Sequence, residues 1–194
     1  MTLLLAMTTF ALALSASPGP VNIIALASGV NNGFMRTLPF VSGAALGFTA
    51  LLYMVGMVGE SVVKDYPTVM SVMHVLGTGY ILYLGWKLMT AKGEVSSEEK
   101  PKPKFFEGAI LQWLNPKAWI ACLIGVAAFV TGEGWGTILV FCLIYLVMCF
   151  LGVSFWAVMG AFTQNFLTSP ERLRLLNIIM GGCLCAVAVY LFLI

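Results

Sequence analysis

Two proline-containing stretches, each inside an apolar run, hold most of the side chains that could do chemistry. The first reads Ser17-Pro18-Gly19-Pro20-Val21-Asn22 and the second reads Leu114-Asn115-Pro116-Lys117. A proline inside a helix donates no backbone hydrogen bond, so each stretch breaks its helix and frees carbonyl oxygens. In hydrocarbon such a break is tolerated only where protein or a water-filled cavity covers it. The stretches are therefore either packing kinks or the lining of a polar binding site.

Lys117 is the most informative single residue. It lies about twelve residues into an apolar run, or about 18 Å along a helix, which is near the middle of a bilayer. A lysine there costs at least ~2.5 kcal/mol on insertion scales, so it needs a polar partner. Asn115 and the Gln112 carbonyl that Pro116 frees are candidate partners. A purely structural lysine is the alternative, but a cation beside a helix break favours a site for a substrate carboxylate.

The other reactive side chains are isolated. A single histidine, His74, cannot build a metal site, and a packed or interfacial histidine is the simpler interpretation. Glu107 is predicted to lie in water at the interface; a part in proton transfer stays open for both residues. The five cysteines contain no Cys-x-x-Cys pair, which argues against zinc and a disulfide framework. No cluster typical of a membrane hydrolase is found, so we predict no catalytic residue, no metal and no cofactor.

Composition bounds the class of protein. Of 194 residues, 60% are hydrophobic and only 9% are charged, which excludes an ordinary soluble domain and a disordered chain. The N-terminal run lacks a basic leader and is too long for a signal peptide, so we expect a retained first span. No polar block is long enough to fold alone. We predict one membrane transport domain over 1–194, with the lipid bilayer and no nucleic acid as partner.

Six apolar runs predict six transmembrane helices, at about 3–29, 37–59, 68–90, 105–130, 135–162 and from 170 to about 193. The breaks fall in the first and fourth. A polar segment at 92–104 is predicted to be a cytoplasmic linker between the halves 1–91 and 105–194. Three spans per half would invert the second half relative to the first, as in many secondary transporters. We therefore predict an all-α integral membrane protein of two inverted three-helix repeats, whose breaks meet near the midplane.

Shorter signals predict turns and helix contacts. Asn31-Asn32-Gly33 is typical of a turn, and the polar residues between Glu60 and Pro67 predict a loop. Gly43 and Gly47 have the small-xxx-small spacing that lets two helix backbones approach closely.

The basic residues predict the orientation. Lys64 falls on one side of the six-span arrangement, and eight of the ten Lys and Arg residues fall on the other: Arg36, Lys87, Lys92, Lys100, Lys102, Lys104, Arg172 and Arg174. Cytoplasmic loops carry the excess of positive charge. This rule places both termini outside.

Three motifs together resemble the lysine-exporter (LysE/RhtB) family over nearly the whole chain. They are Ser17-Pro18-Gly19-Pro20 with Asn22 and Asn32-Gly33-Phe34; Gly77-x-Gly79-Tyr80-x-x-Tyr83-Leu84-Gly85-Trp86-Lys87; and Phe106 and Gly108 followed by Asn115-Pro116-Lys117. The resemblance implies export of amino acids and derivatives across the bacterial inner membrane, driven by the proton-motive force through antiport. The run 22–26 is similar to the cysteine and O-acetylserine exporter branch.

We therefore predict a substrate site for a small neutral amino acid, formed by Ser17, Pro18, Gly19, Pro20, Asn22, Asn115, Pro116 and Lys117. In this hypothesis Lys117 holds the carboxylate, and the freed carbonyls of Leu14, Ala16 and Gln112 accept from the ammonium. No acidic residue lies near the breaks, which disfavours a cationic substrate.

Three alternative functions stay open: a cation or metal exporter on a similar six-helix scaffold, a transmembrane thiol relay and an assembly factor. A homodimer is one assembly left open.

Overall fold

A computed structural model describes residues 2–65, 67–90, 104–130, 135–164 and 169–193. Within these ranges the regular elements are eight helices: α1 Thr2–Ala16, α2 Pro20–Asn32, α3 Phe34–Asp65, α4 Pro67–Met89, α5 Phe105–Trp113, α6 Pro116–Phe129, α7 Trp135–Gln164 and α8 Pro170–Leu193. The predicted linker lies outside the described residues except for Lys104, and so does the side chain of His74. The all-helical class is confirmed for the described part of the chain.

Both predicted helix breaks are present. α1 and α2 are bent by 59° relative to each other, and α5 and α6 by 65°. Among the described residues, three helices are long and apolar enough to cross a membrane, at Phe34–Val58, Trp135–Thr163 and Pro170–Tyr190. The number rises to five if each bent pair is one span. The remaining predicted span, the third at about 68–90, corresponds to α4, which is 23 residues long. Its crossing of the membrane stays a prediction.

The loop predicted between Glu60 and Pro67 is wrong. α3 continues as one helix of 32 residues through Asp65, and α4 begins at Pro67. Charged residues such as those at the end of α3 are compatible with a helix, so polarity alone does not mark a helix end. Proline is favoured at the first position of a helix, which explains where α4 begins.

Gly33 alone joins α2 to α3. Its φ of 77° lies in the left-handed region, where only glycine is free of a steric penalty. Its N–H donates to the Gly29 carbonyl at 2.8 Å and ends α2. The turn predicted at Asn31-Asn32-Gly33 is therefore confirmed, but the two asparagines still belong to the helix.

α3 and α7 form the centre of the fold, and the broken helices pack on them. The rings of Phe48 and Tyr145 stack across the α3–α7 contact with centroids 4.2 Å apart. Glycines bring the backbones together, because a Cβ in their place would overlap the facing helix. The pairs are Gly29–Ala157 and Gly160–Leu26 between α2 and α7, Gly43–Phe105 and Gly47–Ala109 between α3 and α5, and Gly85–Gly181 between α4 and α8. The close approach predicted for Gly43 and Gly47 is thus confirmed.

Candidate functional site

The two helix breaks meet at the Lys117 side chain. Its ammonium donates to the Ser17 carbonyl at 2.9 Å, to the Ser17 hydroxyl at 2.7 Å and to the Pro18 carbonyl at 3.1 Å. Side chains in the first turn of a helix tilt toward its N-terminus, so Lys117 reaches out of α6 to the other break. The prediction that Asn115 and the Gln112 carbonyl hold the ammonium is therefore wrong. Asn115 instead caps α6, its Oδ1 accepting from the Lys117 backbone N–H at 3.2 Å.

Gly19 makes room for this contact. A Cβ at Gly19 would lie 3.1 Å from Lys117 Nζ and 3.2 Å from its Cδ. The backbone of Gly19 is extended, with φ −172° and ψ 176°, a conformation that any residue adopts. Glycine is therefore favoured here by the lack of space, and not by its backbone angles.

The freed carbonyls already have partners within the chain. The Leu14 carbonyl accepts from the Ser17 hydroxyl at 2.9 Å, the Ala16 carbonyl from the Trp156 indole at 2.9 Å, and the Gln112 carbonyl from the Asn115 N–H at 3.2 Å. A carbonyl oxygen has two lone pairs, so acceptance from a substrate ammonium by these oxygens stays a prediction. An unpaired carbonyl is costly in apolar surroundings, so neighbouring donors satisfy it.

Asn22 and Trp119 complete the bracing of the two breaks. The Asn22 amide nitrogen donates to the carbonyls of Ser15 at 2.8 Å and Ser17 at 2.7 Å, and its side chain is buried. The Trp119 indole donates to the Trp113 carbonyl at 2.7 Å across the second break. Each break is therefore held open by side chains that replace the missing helical hydrogen bonds.

A cavity of about 40 Å³ lies where the breaks meet. Its polar lining comes from both breaks, and its other walls come mainly from α3, α6 and α7. The lining residues are Leu14, Ser15, Gly19, Val21, Asn22, Phe48, Gln112, Asn115, Lys117, Ala118, Ala121, Tyr145, Cys149 and Val153. One ordered water needs roughly 10–15 Å³ of such cavity volume, so the cavity admits about three waters. An amino acid would have to widen it.

The eight residues of the predicted site take three positions. Four line the cavity: Gly19, Asn22, Asn115 and Lys117. Two contact the Lys117 ammonium, Ser17 and Pro18. The last two, Pro20 and Pro116, begin α2 and α6.

Sequence reasoning missed the wall that α3 and α7 contribute. Phe48, Tyr145 and Cys149 line the cavity although they lie in apolar runs without a break. A buried tyrosine needs a partner for its hydroxyl, and this was the one available signal. Nothing in the spacing of Phe48 or Cys149 indicates their position.

The electrostatics of the cavity suit a carboxylate. Lys117 is the one charged side chain among the described residues that line it. α2 starts beside Lys117, and its N-cap residue, Gly19, provides no side-chain cap. The N–H groups of an uncapped first turn attract anions. A cation and a helix N-terminus therefore face the same small space.

The other reactive residues lie apart from this cavity. Glu107 is exposed, as predicted, and its carboxylate accepts from the Lys104 N–H at 3.1 Å at the start of α5. All five cysteines are free, and Cys122, Cys142 and Cys149 are buried. In the described ranges no group of three or more His, Cys, Asp or Glu side chains is placed to hold a metal ion.

Comparison with known proteins identifies the family. The family model described as LysE type translocator matches residues 12–193. The chain belongs to the LysE-type translocator family. This LysE match spans both helix breaks and every residue that lines the cavity, and it confirms the resemblance seen in the motifs.

Two relatives illustrate the match to the LysE family. The chain is 30% identical to the cysteine/O-acetylserine efflux protein of Salmonella paratyphi A over 98% of this chain and 97% of the relative. It is 27% identical to the protein of the same name from Escherichia coli K12, over 98% of each chain. No solved structure gives a significant match.

Proposed function

We propose that this LysE family protein is a secondary transporter that exports small neutral amino acids or their derivatives from the bacterial cytoplasm. The observation that carries the proposal is the Lys117 ammonium, which lies between two helix breaks beside a polar cavity. An intramembrane cation at paired breaks is typical of a substrate site in a transporter. The relatives named as cysteine/O-acetylserine efflux proteins support the same class of substrate.

In this proposal Lys117 exchanges protein oxygens for the substrate carboxylate. Its three hydrogen-bond partners are neutral oxygens of Ser17 and Pro18. A carboxylate makes shorter and stronger hydrogen bonds to an ammonium than neutral acceptors do. Substrate would therefore displace part of this contact, helped by the first N–H groups of α2. Binding would loosen the link between the breaks, so it would favour one conformation over the other.

The rest of the cavity favours a substrate without a second charge. The described residues that line the cavity include no Asp or Glu. The amide groups of Asn22, Gln112 and Asn115 can accept from an ammonium or donate to an oxygen. A lysine or arginine side chain would enter this space without an opposite charge, at a large desolvation cost. A small neutral amino acid needs no such partner.

We further propose six spans arranged as two inverted repeats, with both termini outside. The packing supports this arrangement: α2 packs on α7 and α5 packs on α3, so each broken helix contacts the long helix of the other half. α4 and α8, the last helix of each half, pack on each other through Gly85 and Gly181. Such an exchange of contacts is expected when the halves are related by a two-fold axis in the membrane plane.

Export against a gradient needs an energy source, and we propose the proton-motive force, with antiport of protons. Substrate must also leave on the outer side, so binding has to be weak. A dissociation constant in the micromolar to millimolar range, about −8 to −4 kcal/mol, meets that requirement.

The test is efflux from bacterial cells that express the chain. The cells are loaded with cysteine, serine, O-acetylserine, lysine or arginine, and the medium is sampled with and without an uncoupler. We expect export of the three neutral compounds above an empty-vector control, and none of lysine or arginine. Neutral amino acids leaving at the control rate would refute the proposal. Export that persists with the uncoupler would refute the coupling alone.

A further inference from the structure

A second group of side chains lines the cavity without contacting Lys117. It consists of Ser15, Tyr145 and Cys149, and we call it the Ser15 group. The Ser15 hydroxyl lies within interaction range of the Tyr145 and Cys149 side chains. The Gln112 amide nitrogen approaches Cys149 Sγ at 3.8 Å. These groups carry hydroxyl, thiol and amide functions, and binding of the substrate carboxylate uses none of them.

The Ser15 hydroxyl makes no hydrogen bond of standard geometry with the described part of the chain, although the Tyr145 and Cys149 side chains lie near it. It is enclosed, in a residue that is 7% exposed. Two other hydroxyls of α1, those of Thr8 and Thr9, donate to the carbonyls four residues earlier. Buried polar atoms nearly always have a partner, so a hydroxyl without a well-formed bond on a cavity wall is available to a ligand.

Ser15 is closely packed against α7. A Cβ on Gly152 of α7 would lie 2.8 Å from Ser15 Cβ and 2.9 Å from its carbonyl carbon, so the two helices touch at this point. Tyr145 is held by its stacking on Phe48, at an interplanar angle of 16°. A site whose polar group is held in place by packing disfavours a ligand that cannot pair with that group.

We propose that Ser15 determines substrate specificity by hydrogen bonding to an oxygen or sulfur atom attached to the substrate Cβ, with Tyr145 and Cys149 completing this side-chain subsite. The inference rests on the proposed export of neutral amino acids. Hydroxyl, thiol and acyl-ester side chains place such an atom at the subsite. An alkyl side chain of the same size leaves the Ser15 hydroxyl unpaired. The subsite therefore selects for a hydrogen-bonding atom in the substrate side chain, and not only for the size of that side chain.

The experiment compares cysteine with 2-aminobutyrate, which carries a methyl group in place of the thiol. Inside-out membrane vesicles containing the full-length chain take up each labelled compound, and the ratio of initial rates is measured. A net hydrogen bond corresponds to about a fivefold preference for cysteine in the parent protein. Ser15→Ala should bring the ratio close to one by slowing cysteine more than 2-aminobutyrate. Ser15→Cys, which keeps a polar atom, should keep a preference.

Ser154→Ala is the matched control. Ser154 on α7 also has an enclosed hydroxyl without a hydrogen bond, but it does not line the cavity. This variant should keep the parental ratio. Serine replaces cysteine in a repeat of the assay, because serine is not subject to thiol oxidation.

The outcomes separate the subsite from the transport function. An unchanged ratio in Ser15→Ala, or an equal loss for both compounds at normal protein abundance, would overturn the role of Ser15. A parent protein that moves both compounds equally would also overturn it, while leaving transport intact. Uptake of neither compound above vesicles without the protein would refute the proposed function itself.

Discussion

The Lys117 ammonium donates to the Ser17 hydroxyl at 2.7 Å, although 100 positions separate the two residues in the sequence. The same nitrogen contacts the carbonyls of Ser17 and Pro18. One cation therefore bridges the start of α6 and the first helix break. A change at either break is expected to affect the other, and the following predictions depend on that coupling.

Replacing Lys117 should abolish export without removing the protein from the membrane. Lys117→Met keeps much of the apolar stem but loses the charge that would hold a carboxylate, and loss of a buried charged partner costs about 2–5 kcal/mol. Lys117→Arg should be impaired as well, because a planar guanidinium does not replace a compact ammonium. Serine efflux is measured and divided by the amount of each variant protein in the membrane. Lys87→Met, which changes an exposed lysine in the last turn of α4, is the control. Parental export by Lys117→Met would show that the lysine is structural.

Gly19→Ala should reduce export through the position of the Lys117 side chain. The new Cβ would lie 3.1 Å from Nζ, so the ammonium must move by a few tenths of an ångström and lengthen its bonds at the break. We expect a partial loss, smaller than for Lys117→Met. Gly79→Ala is matched to it, because a Cβ there meets no atom within 4 Å. Equal efflux by both glycine variants would contradict the tight fit at Gly19.

Trp156→Phe should destabilise the first break. The substitution removes the indole N–H that donates to the Ala16 carbonyl at 2.9 Å. An unpaired buried carbonyl costs about 1–3 kcal/mol, which lowers the melting temperature by several degrees. Thermal unfolding of the purified protein in detergent measures this. Trp135→Phe, at a site that is 71% exposed, should leave the melting temperature unchanged. An equal fall in melting temperature in both variants would mean that the smaller side chain, and not the lost hydrogen bond, causes the destabilisation.

The proposed topology predicts opposite locations for two reporter fusions. A fusion after Lys104 should report the cytoplasm, and one at the C-terminus should report the outside, because the basic residues concentrate on one side. Paired fusions of alkaline phosphatase and green fluorescent protein distinguish the two locations. Both fusions on the same side of the membrane would rule out three spans in the second half.

Much of the site follows from sequence because proline acts locally. Pro18, Pro20 and Pro116 each lack an N–H, so each disfavours a continuous helix through its own position. The cost of a charge in an apolar run likewise marks Lys117 before any contact is known. Gly33 and Pro67 fix a helix connection and a helix start through their own backbone restrictions. These residues determine where helices end and that a polar site exists.

The tertiary structure decided which atoms meet. The sequence shows that the Ala16 carbonyl is freed, but only the packing of α7 on α1 brings the Trp156 indole to it. It shows that Lys117 needs a partner, but nearby residues such as Asn115 were the only ones that spacing could suggest. The bend of 65° between α5 and α6 directs the lysine to the first break instead. Ser15, Tyr145 and Cys149 come together because Gly152 lets α1 and α7 touch, and such long-range contacts depend on how several helices pack at once.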